Sequence, residues 1–259
     1  MSYKTVATII LLGLFIAVKG DEGDRIIGGK NVQIVEFPFQ VSLQYNRQHI
    51  CGGSLYDNDK VITAAHCVET FKARDLSVLT ALLGTSSLSE GGVRMPIKSI
   101  VKHQYFNLTG DGSYDLAMFT LKNPVNFSST IEPITLANKT PENGTQVYVV
   151  GWGVLKASDT KSSTKLQGVQ LDFISRAACG QPPNFYKKED ITPTMICAGA
   201  DPKGSCRGDS GGPMIDIKSN SLLGVVSWGS SVCAAGGFPG VYTNVVALKN
   251  WIISTAKAL

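Results

Sequence analysis

A serine set among glycines is the residue of this chain best placed to act as a nucleophile. Ser210 lies in the stretch GSCRGDSGGP, residues 204–213. A serine hydroxyl attacks poorly unless a neighbouring base takes its proton. Glycines on both sides let the backbone turn sharply and let a substrate carbonyl approach main-chain N–H groups. Because the same composition is typical of an ordinary surface turn, the stretch indicates catalysis only if a base and an orienting acid come from elsewhere in the chain.

Two residues far away in the sequence could supply that base and acid. His66 stands in the motif TAAHC, where small alanines leave its imidazole unobstructed. Asp115 stands in SYDLAMF and leads directly into an apolar segment. A carboxylate buried there needs hydrogen-bond partners to offset its desolvation, and a protonated imidazole is one good partner. We expect the remaining histidines, His49 and His103, to be structural or simply exposed.

The elements that must position these residues are predicted to be many short strands. The chain has 259 residues, of which 27 are glycine and only 17% are charged. Short apolar runs separated by Gly, Pro, Asn and Asp recur along it and predict β-barrels or a β-sandwich. The apolar residues of the last segment instead recur at helical spacing and predict an amphipathic C-terminal α-helix. They are Val245, Leu248, Trp251, Ile252 and Ala256.

The first residues have the pattern of a secretory signal peptide. Lys4 precedes an apolar run of about 14 residues, shorter than the roughly 20 needed to span a bilayer. Residues 1–20 are therefore predicted to be removed, leaving a soluble, secreted protein with no membrane anchor. Residues 21–25 form a short acidic segment that ends in Arg25, directly before the sequence IIGG. Cleavage after Arg25 would make Ile26 a new amino terminus, whereas the alternative is a polar linker entering a first strand.

Cysteine number and net charge narrow the classes of function. An even number of cysteines in a secreted chain predicts disulfides, and the absence of a C-x-x-C pair or a His/Cys cluster argues against a metal site. The net charge of +4 is spread without a polybasic run, so nucleic-acid binding is not expected. N-x-S/T sequons mark possible glycosylation sites in surface loops. The cysteines are Cys51, Cys67, Cys179, Cys197, Cys206 and Cys233, and the sequons begin at Asn107, Asn126, Asn138 and Asn143.

Five motifs in order resemble those of the chymotrypsin family of trypsin-like serine endopeptidases. They are IIGG after a basic residue, TAAHC, DLA, GDSGGP and SWG, and the resemblance extends from Ile26 to the C terminus. It implies an all-β fold of two packed six-stranded antiparallel β-barrels with a C-terminal α-helix. The N-terminal barrel would occupy about residues 26–132, and the second barrel and helix about 133–259.

The resemblance also implies a mechanism that needs no cofactor or metal. Ser210 would attack the scissile carbonyl, His66 would take and return its proton, and Asp115 would orient the imidazole. Backbone N–H groups of Gly208 and Ser210 would form the oxyanion hole. Protein or peptide substrates and protein protease inhibitors are the expected partners, and a monomer is expected.

The same resemblance implies an inactive precursor held by disulfides. After an Arg-cleaving protease cuts at Arg25, the Ile26 ammonium would enter the protein and pair with the Asp209 carboxylate. The family pattern pairs the cysteines as Cys51–Cys67, Cys179–Cys197 and Cys206–Cys233. In the loop where many trypsins bind calcium, Leu83-Gly84 is followed by Thr85 rather than a glutamate, so no calcium site is expected.

The residues implied to line the specificity pocket favour apolar substrates. Trypsins carry an aspartate at the pocket floor, where this chain has Gly204, and the walls are Gly229 and Gly240. The strand Ser227-Trp228-Gly229 would pair with substrate backbone. An open, uncharged slot predicts cleavage after Phe, Tyr, Trp or Leu, as in chymotrypsin.

Two other functions stay open at this stage. One is a broad collagenolytic or elastase-like protease, because glycine walls accept several side chains; the other is a catalytically dead, protease-like binding protein. A further hypothesis is that Arg207, at the pocket mouth, favours acidic residues just after the cleaved bond.

Overall fold

The computed structural model describes residues 26–71, 73–106, 110–199 and 202–259, which form fourteen β-strands and two α-helices. The predictions for residues 1–20 and 21–25, and the sequon at Asn107, lie outside the described residues. The strands are β1 (Lys30–Asn31), β2 (Gln40–Tyr45), β3 (Gln48–Asp57), β4 (Lys60–Thr63), β5 (Leu79–Leu83), β6 (Val93–Lys102), β7 (Ala117–Leu121), β8 (Thr135–Leu136), β9 (Gln146–Gly151), β10 (Gln167–Ile174), β11 (Met195–Gly199), β12 (Pro213–Asp216), β13 (Ser221–Trp228) and β14 (Gly240–Asn244). The helices are α1 (Arg176–Cys179) and α2 (Val245–Ala258).

The first half of the chain closes into a six-stranded antiparallel barrel. Its strand order is β2-β3-β4-β7-β6-β5, and pairing of β5 with β2 completes the circle. All five residues of β7 are buried, because this strand lies between the barrel interior and the rest of the protein. Closure leaves no free strand edge. Side chains of Val41, Leu55, Val61 and Phe119 fill the interior.

The second half forms a second closed six-stranded barrel. Its order is β9-β10-β11-β14-β13-β12, and it closes because β9 pairs with both β10 and β12. The short strand β1 extends the sheet beside β10, and β8 runs parallel to β13. Val149, Leu171, Ile196 and Tyr242 are among its buried core residues. The predicted fold of two barrels is therefore confirmed.

The chain ends in the predicted amphipathic helix. Asn244 caps α2, since its side-chain oxygen accepts a hydrogen bond from Ala247 N at 3.2 Å. Val245, Leu248 and Ile252 form the buried face of the helix. Among the described residues, no helix is both long and apolar enough to cross a membrane.

All three expected disulfides are present, and two of them lie beside candidate site residues. Cys51–Cys67 joins β3 to the residue after His66, and Cys179–Cys197 joins α1 to β11. Cys206–Cys233 crosses from the loop that carries Ser210 to a second loop. A disulfide typically contributes about 2–4 kcal/mol of stability.

Candidate active site

His66 and Asp115 lie at the same rim of the first barrel because their strands pair. In the antiparallel β4–β7 ladder, Thr63 is opposite Ala117. His66 follows Thr63 closely along the chain, and Asp115 precedes Ala117. Both side chains therefore leave the barrel at the end facing the second barrel.

A dense set of hydrogen bonds fixes Asp115, which is only 3% exposed. His66 Nδ1 donates to Asp115 Oδ2 at 2.7 Å, and the His66 backbone N–H donates to Oδ1 at 2.9 Å. Ser227 Oγ also donates to Oδ2, at 2.5 Å, and Thr243 Oγ1 donates to the Asp115 carbonyl oxygen at 2.6 Å. Because His66 keeps its proton on Nδ1 to donate this hydrogen bond, Nε2 is left as an acceptor for another proton.

The loop of Ser210 comes from the second barrel and packs directly on the first. Gly52 N on β3 donates to Ser210 O at 2.7 Å. Gly211, with φ of +78°, approaches β4 so closely that an added Cβ would lie 2.2 Å from Thr63 Oγ1. The loop therefore reaches the strand that leads to His66. Among the hydrogen bonds of the described residues, none joins Ser210 Oγ to His66, whose Nε2 lies 3.6 Å from Cys67 Sγ.

The backbone N–H groups of Gly208 and Ser210 are the expected donors of an oxyanion hole. The Arg207 carbonyl accepts from Val154 N at 2.9 Å, and the Asp209 carbonyl accepts from Gly212 N at 2.9 Å. In a trans peptide the N–H points opposite to the C=O. The N–H groups of Gly208 and Ser210 therefore face away from these partners, and neither has a backbone acceptor among the described residues.

His49 is a site residue that the sequence did not single out. Its Nε2 donates to the Gly208 carbonyl at 2.8 Å, and Ser42 Oγ donates to its Nδ1 at 2.8 Å. Burial lowers the pKa of His49 to about 4, so the ring is neutral near pH 7. The His49 side chain thus holds the peptide group between Gly208 and Asp209. No local motif could reveal this role, because the partner lies 159 residues along the chain.

Asp209 lies fully buried between the backbone of two chain segments. Its Oδ1 accepts from Gly153 N at 2.8 Å and its Oδ2 from Cys206 N at 2.9 Å. An added Cβ at either Gly151 or Gly153 would lie 2.3 Å from these oxygens, so glycine is required there. Burial raises the pKa of Asp209 to about 6. No basic side chain of the described residues forms an ion pair with it.

The chain directly after Ile26 runs beside the segment that contains Gly204. Gly204 N donates to Ile27 O at 3.2 Å. An added Cβ on Gly28 would lie 2.5 Å from Lys203 Cγ. The segment predicted to become the new amino terminus therefore contacts the segment predicted to form the pocket floor.

A cavity of about 420 Å³ opens beside Ser210. The residues implied to form the pocket all line it: Gly204, Ser227, Trp228, Gly229 and Gly240. Of the described residues around the cavity, none is acidic. An added Cβ on Gly229 would find only Gly240 Cα within 4 Å, at 3.8 Å, so glycine leaves this wall open. An added Cβ on Gly240 would instead lie 3.0 Å from Tyr242 Oη and 3.2 Å from Ser205 Oγ.

Arg207 lies at the edge of this cavity and is tied to a neighbouring loop. Its Nη2 donates to the carbonyl oxygens of Ala157 and Asp159, at 2.5 and 2.9 Å. The side chain is exposed, and its proposed effect on residues after the cleaved bond stays a prediction.

One group of potential metal ligands occurs among the described residues, and it does not fit a metal. Ligand atoms of Cys51, His66 and Cys67 lie within 4.8 Å of one another. The two sulfurs are already joined in a disulfide, whereas metal binding needs the thiolate.

Comparisons with known proteins support the fold and show the family. The family model described as Trypsin matches residues 26–252. The chain belongs to the trypsin family. It is a serine endopeptidase of that family, as its curated relatives also indicate.

Those relatives and one solved structure cover nearly the full chain. Trypsin delta of Drosophila melanogaster is 40% identical over 232 residues, which are 90% of this chain and 88% of that protein. Hypodermin-B of Hypoderma lineatum is 38% identical over 234 residues, with the same two coverages. The structure of neuropsin, a serine protease from mouse brain, shares 29% identity at a TM-score of 0.77 and covers 88% of this chain and 98% of its own.

Proposed function

We propose that this family member hydrolyses peptide bonds after large apolar and aromatic residues through a Ser-His-Asp acyl-enzyme mechanism. The observation that carries the proposal is the cavity beside Ser210, whose described lining has glycine at Gly204, Gly229 and Gly240 and no carboxylate. A lysine or arginine side chain entering it would bury its charge without a partner, which is costly. An apolar ring would instead gain from leaving water.

The chemistry follows from the groups around that cavity. Ser210 Oγ attacks the scissile carbonyl while His66 Nε2 takes its proton, and the Asp115 carboxylate stabilises the resulting imidazolium. His66 returns the proton to the leaving amine as the C–N bond breaks, leaving an ester on Ser210 that water hydrolyses. Gly208 and Ser210 N–H groups stabilise the oxyanion. Losing one such donor costs on the order of 10²–10³ in rate.

The precursor is proposed to be secreted and inactive until cleaved. Residues 1–20 would direct secretion, and an Arg-cleaving protease would cut after Arg25. The Ile26 ammonium would then pair with Asp209, whose carboxylate is buried and has two backbone donors but no basic side chain among the described residues. This pair would fix the Gly208–Ser210 loop, because Asp209 belongs to it.

The proposal also includes glycosylation sites, partners and the bounds of the two barrels. Asn126, Asn138 and Asn143 are exposed, which agrees with glycan acceptors. We propose a monomer that meets protein substrates and protein inhibitors, with the two barrels dividing near residue 132. Catalysis would need neither metal nor cofactor.

A second candidate is a broad, collagenolytic or elastase-like protease, which the open wall at Gly229 favours. A panel of reporter peptides with Phe, Leu, Ala or Arg before the scissile bond separates it from the first. The precursor is cleaved with trypsin, and a Ser210→Ala sample treated identically supplies the blank for residual trypsin. We expect the highest kcat/KM for Phe, with Arg lower by about a hundredfold.

Each other result of the panel has a definite meaning. An Ala reporter cleaved as well as Phe would favour the broad protease. A best reporter of Arg would contradict the proposed pocket, and no activity above the blank would leave a dead, protease-like binding protein.

A further inference from the structure

Tyr114, the residue directly before Asp115, has a strained backbone. Its φ is +57°, in the left-handed region that bulky side chains rarely adopt. Such conformations persist only where the surroundings hold them, and they cluster at functional sites. Here the strained residue is one peptide bond from the carboxylate that binds His66.

An aromatic cluster holds the Tyr114 ring. The ring stacks on His103 with centroids 4.7 Å apart and an angle of 21°, and meets Tyr105 edge-on at 5.4 Å. His103 is buried and also contacts Trp251 of α2 at 5.0 Å. Stacked and edge-on contacts of this kind favour one ring orientation. The Tyr114 hydroxyl has no hydrogen-bond partner among the described residues, so the side chain contacts this cluster through its ring.

Hydrogen bonds fix the backbone on both sides of the strained position. Tyr114 N donates to Thr194 Oγ1 at 3.2 Å. Leu116 N donates to Tyr114 O at 2.7 Å and closes a three-residue turn around Asp115. The turn sends the Asp115 side chain towards His66 instead of along the alternating pattern of β7.

We propose that Tyr114 is a positioning residue for peptide hydrolysis, because its stacked ring holds the turn that aims Asp115 at His66. The inference rests on the proposed role of Asp115. A small displacement of a catalytic group from its productive geometry lowers the chemical rate far more than it lowers substrate binding. The effect of losing the ring should therefore be on kcat.

The test compares cleaved Tyr114→Ala, Tyr114→Phe and a matched control, Phe127→Ala, which removes a 52% exposed aromatic ring. Active sites are counted with a serine-directed phosphonate, so that misfolded protein does not enter kcat. We expect Tyr114→Ala to lower kcat per active site about tenfold with KM unchanged. Tyr114→Phe and Phe127→Ala should keep the wild-type kcat.

A wild-type kcat per active site in Tyr114→Ala would overturn the inference, whatever happens to its Tm, and so would a loss confined to KM. If that variant does not fold, Tyr114→Gly replaces it, because glycine adopts positive φ without strain. The same loss of kcat is expected there, and a wild-type kcat would again overturn the inference. Asp115→Asn separates the role of Tyr114 from that of Asp115. If Asp115→Asn keeps the wild-type kcat, the proposed role of Asp115 fails. If Asp115→Asn loses kcat while Tyr114→Ala keeps it, only the proposed role of Tyr114 fails.

Discussion

Replacing Ser210 with alanine is expected to lower kcat on the preferred peptide on the order of 10⁶-fold. The variant keeps the loop, the N–H groups and the pocket but has no atom that can form the acyl-enzyme. His66→Ala should cost nearly as much, and the double variant scarcely more, because the two residues act as one unit. The measurement is kcat after cleavage at Arg25, with active sites of the wild type counted by titration.

The matched control is Ser219→Ala, which removes an exposed hydroxyl bonded to Asp216 and should keep the wild-type kcat. A Ser210→Ala enzyme with a kcat within tenfold of wild type would refute covalent catalysis at this position. Fully additive losses for the Ser210 and His66 variants would equally show that the two do not act together.

Asp209→Asn is expected to lower kcat of the cleaved enzyme by about 10²–10³, the cost of losing an oxyanion donor. Without the carboxylate, the Ile26 ammonium has no buried partner, and the loop that presents the Gly208 and Ser210 N–H groups is no longer held. Ile26→Gly should behave alike, because it weakens insertion from the other side. Both variants should stay folded, which thermal unfolding followed by circular dichroism would verify.

Asp172→Asn is the control for Asp209, since it removes an exposed carboxylate bonded to Gln146. It should keep the wild-type kcat. If cleaved Asp209→Asn were fully active, or if the uncut precursor matched the cleaved enzyme, the proposed switch would be refuted.

The residues proposed to do the chemistry were predictable because each lies in a short motif. His66, Asp115 and Ser210 stand out by their neighbours, and the fold then brings the strand ends of the first two together. Gly204 was predictable only through the resemblance, since alone it looks like an ordinary turn residue. The regular spacing of apolar runs predicted β-barrels or a β-sandwich, and only the resemblance implied two barrels. The 3.6-residue period predicted α2.

What the sequence could not show depends on contacts between distant segments. His49 was expected to be structural or exposed, but its partner, the Gly208 carbonyl across the interface of the two barrels, could not be predicted. Tyr114 gave no signal, because positive φ in a tyrosine runs against the residue's own preference. The attachment of Arg207 to the Ala157 and Asp159 carbonyls also joins loops far apart in sequence. The four-residue helix α1 is too short to show a helical period.

One labelling experiment tests most directly whether Ser210 is an activated nucleophile beside an apolar pocket. A phosphonate that carries a phenylalanine-like side chain is incubated with cleaved and uncut protein, and mass spectrometry locates the adduct. We predict a single adduct on Ser210 that forms rapidly only after cleavage at Arg25, and more rapidly than with an arginine-like phosphonate. No adduct in the cleaved protein, an adduct on another residue, or faster reaction of the arginine-like reagent would contradict this account.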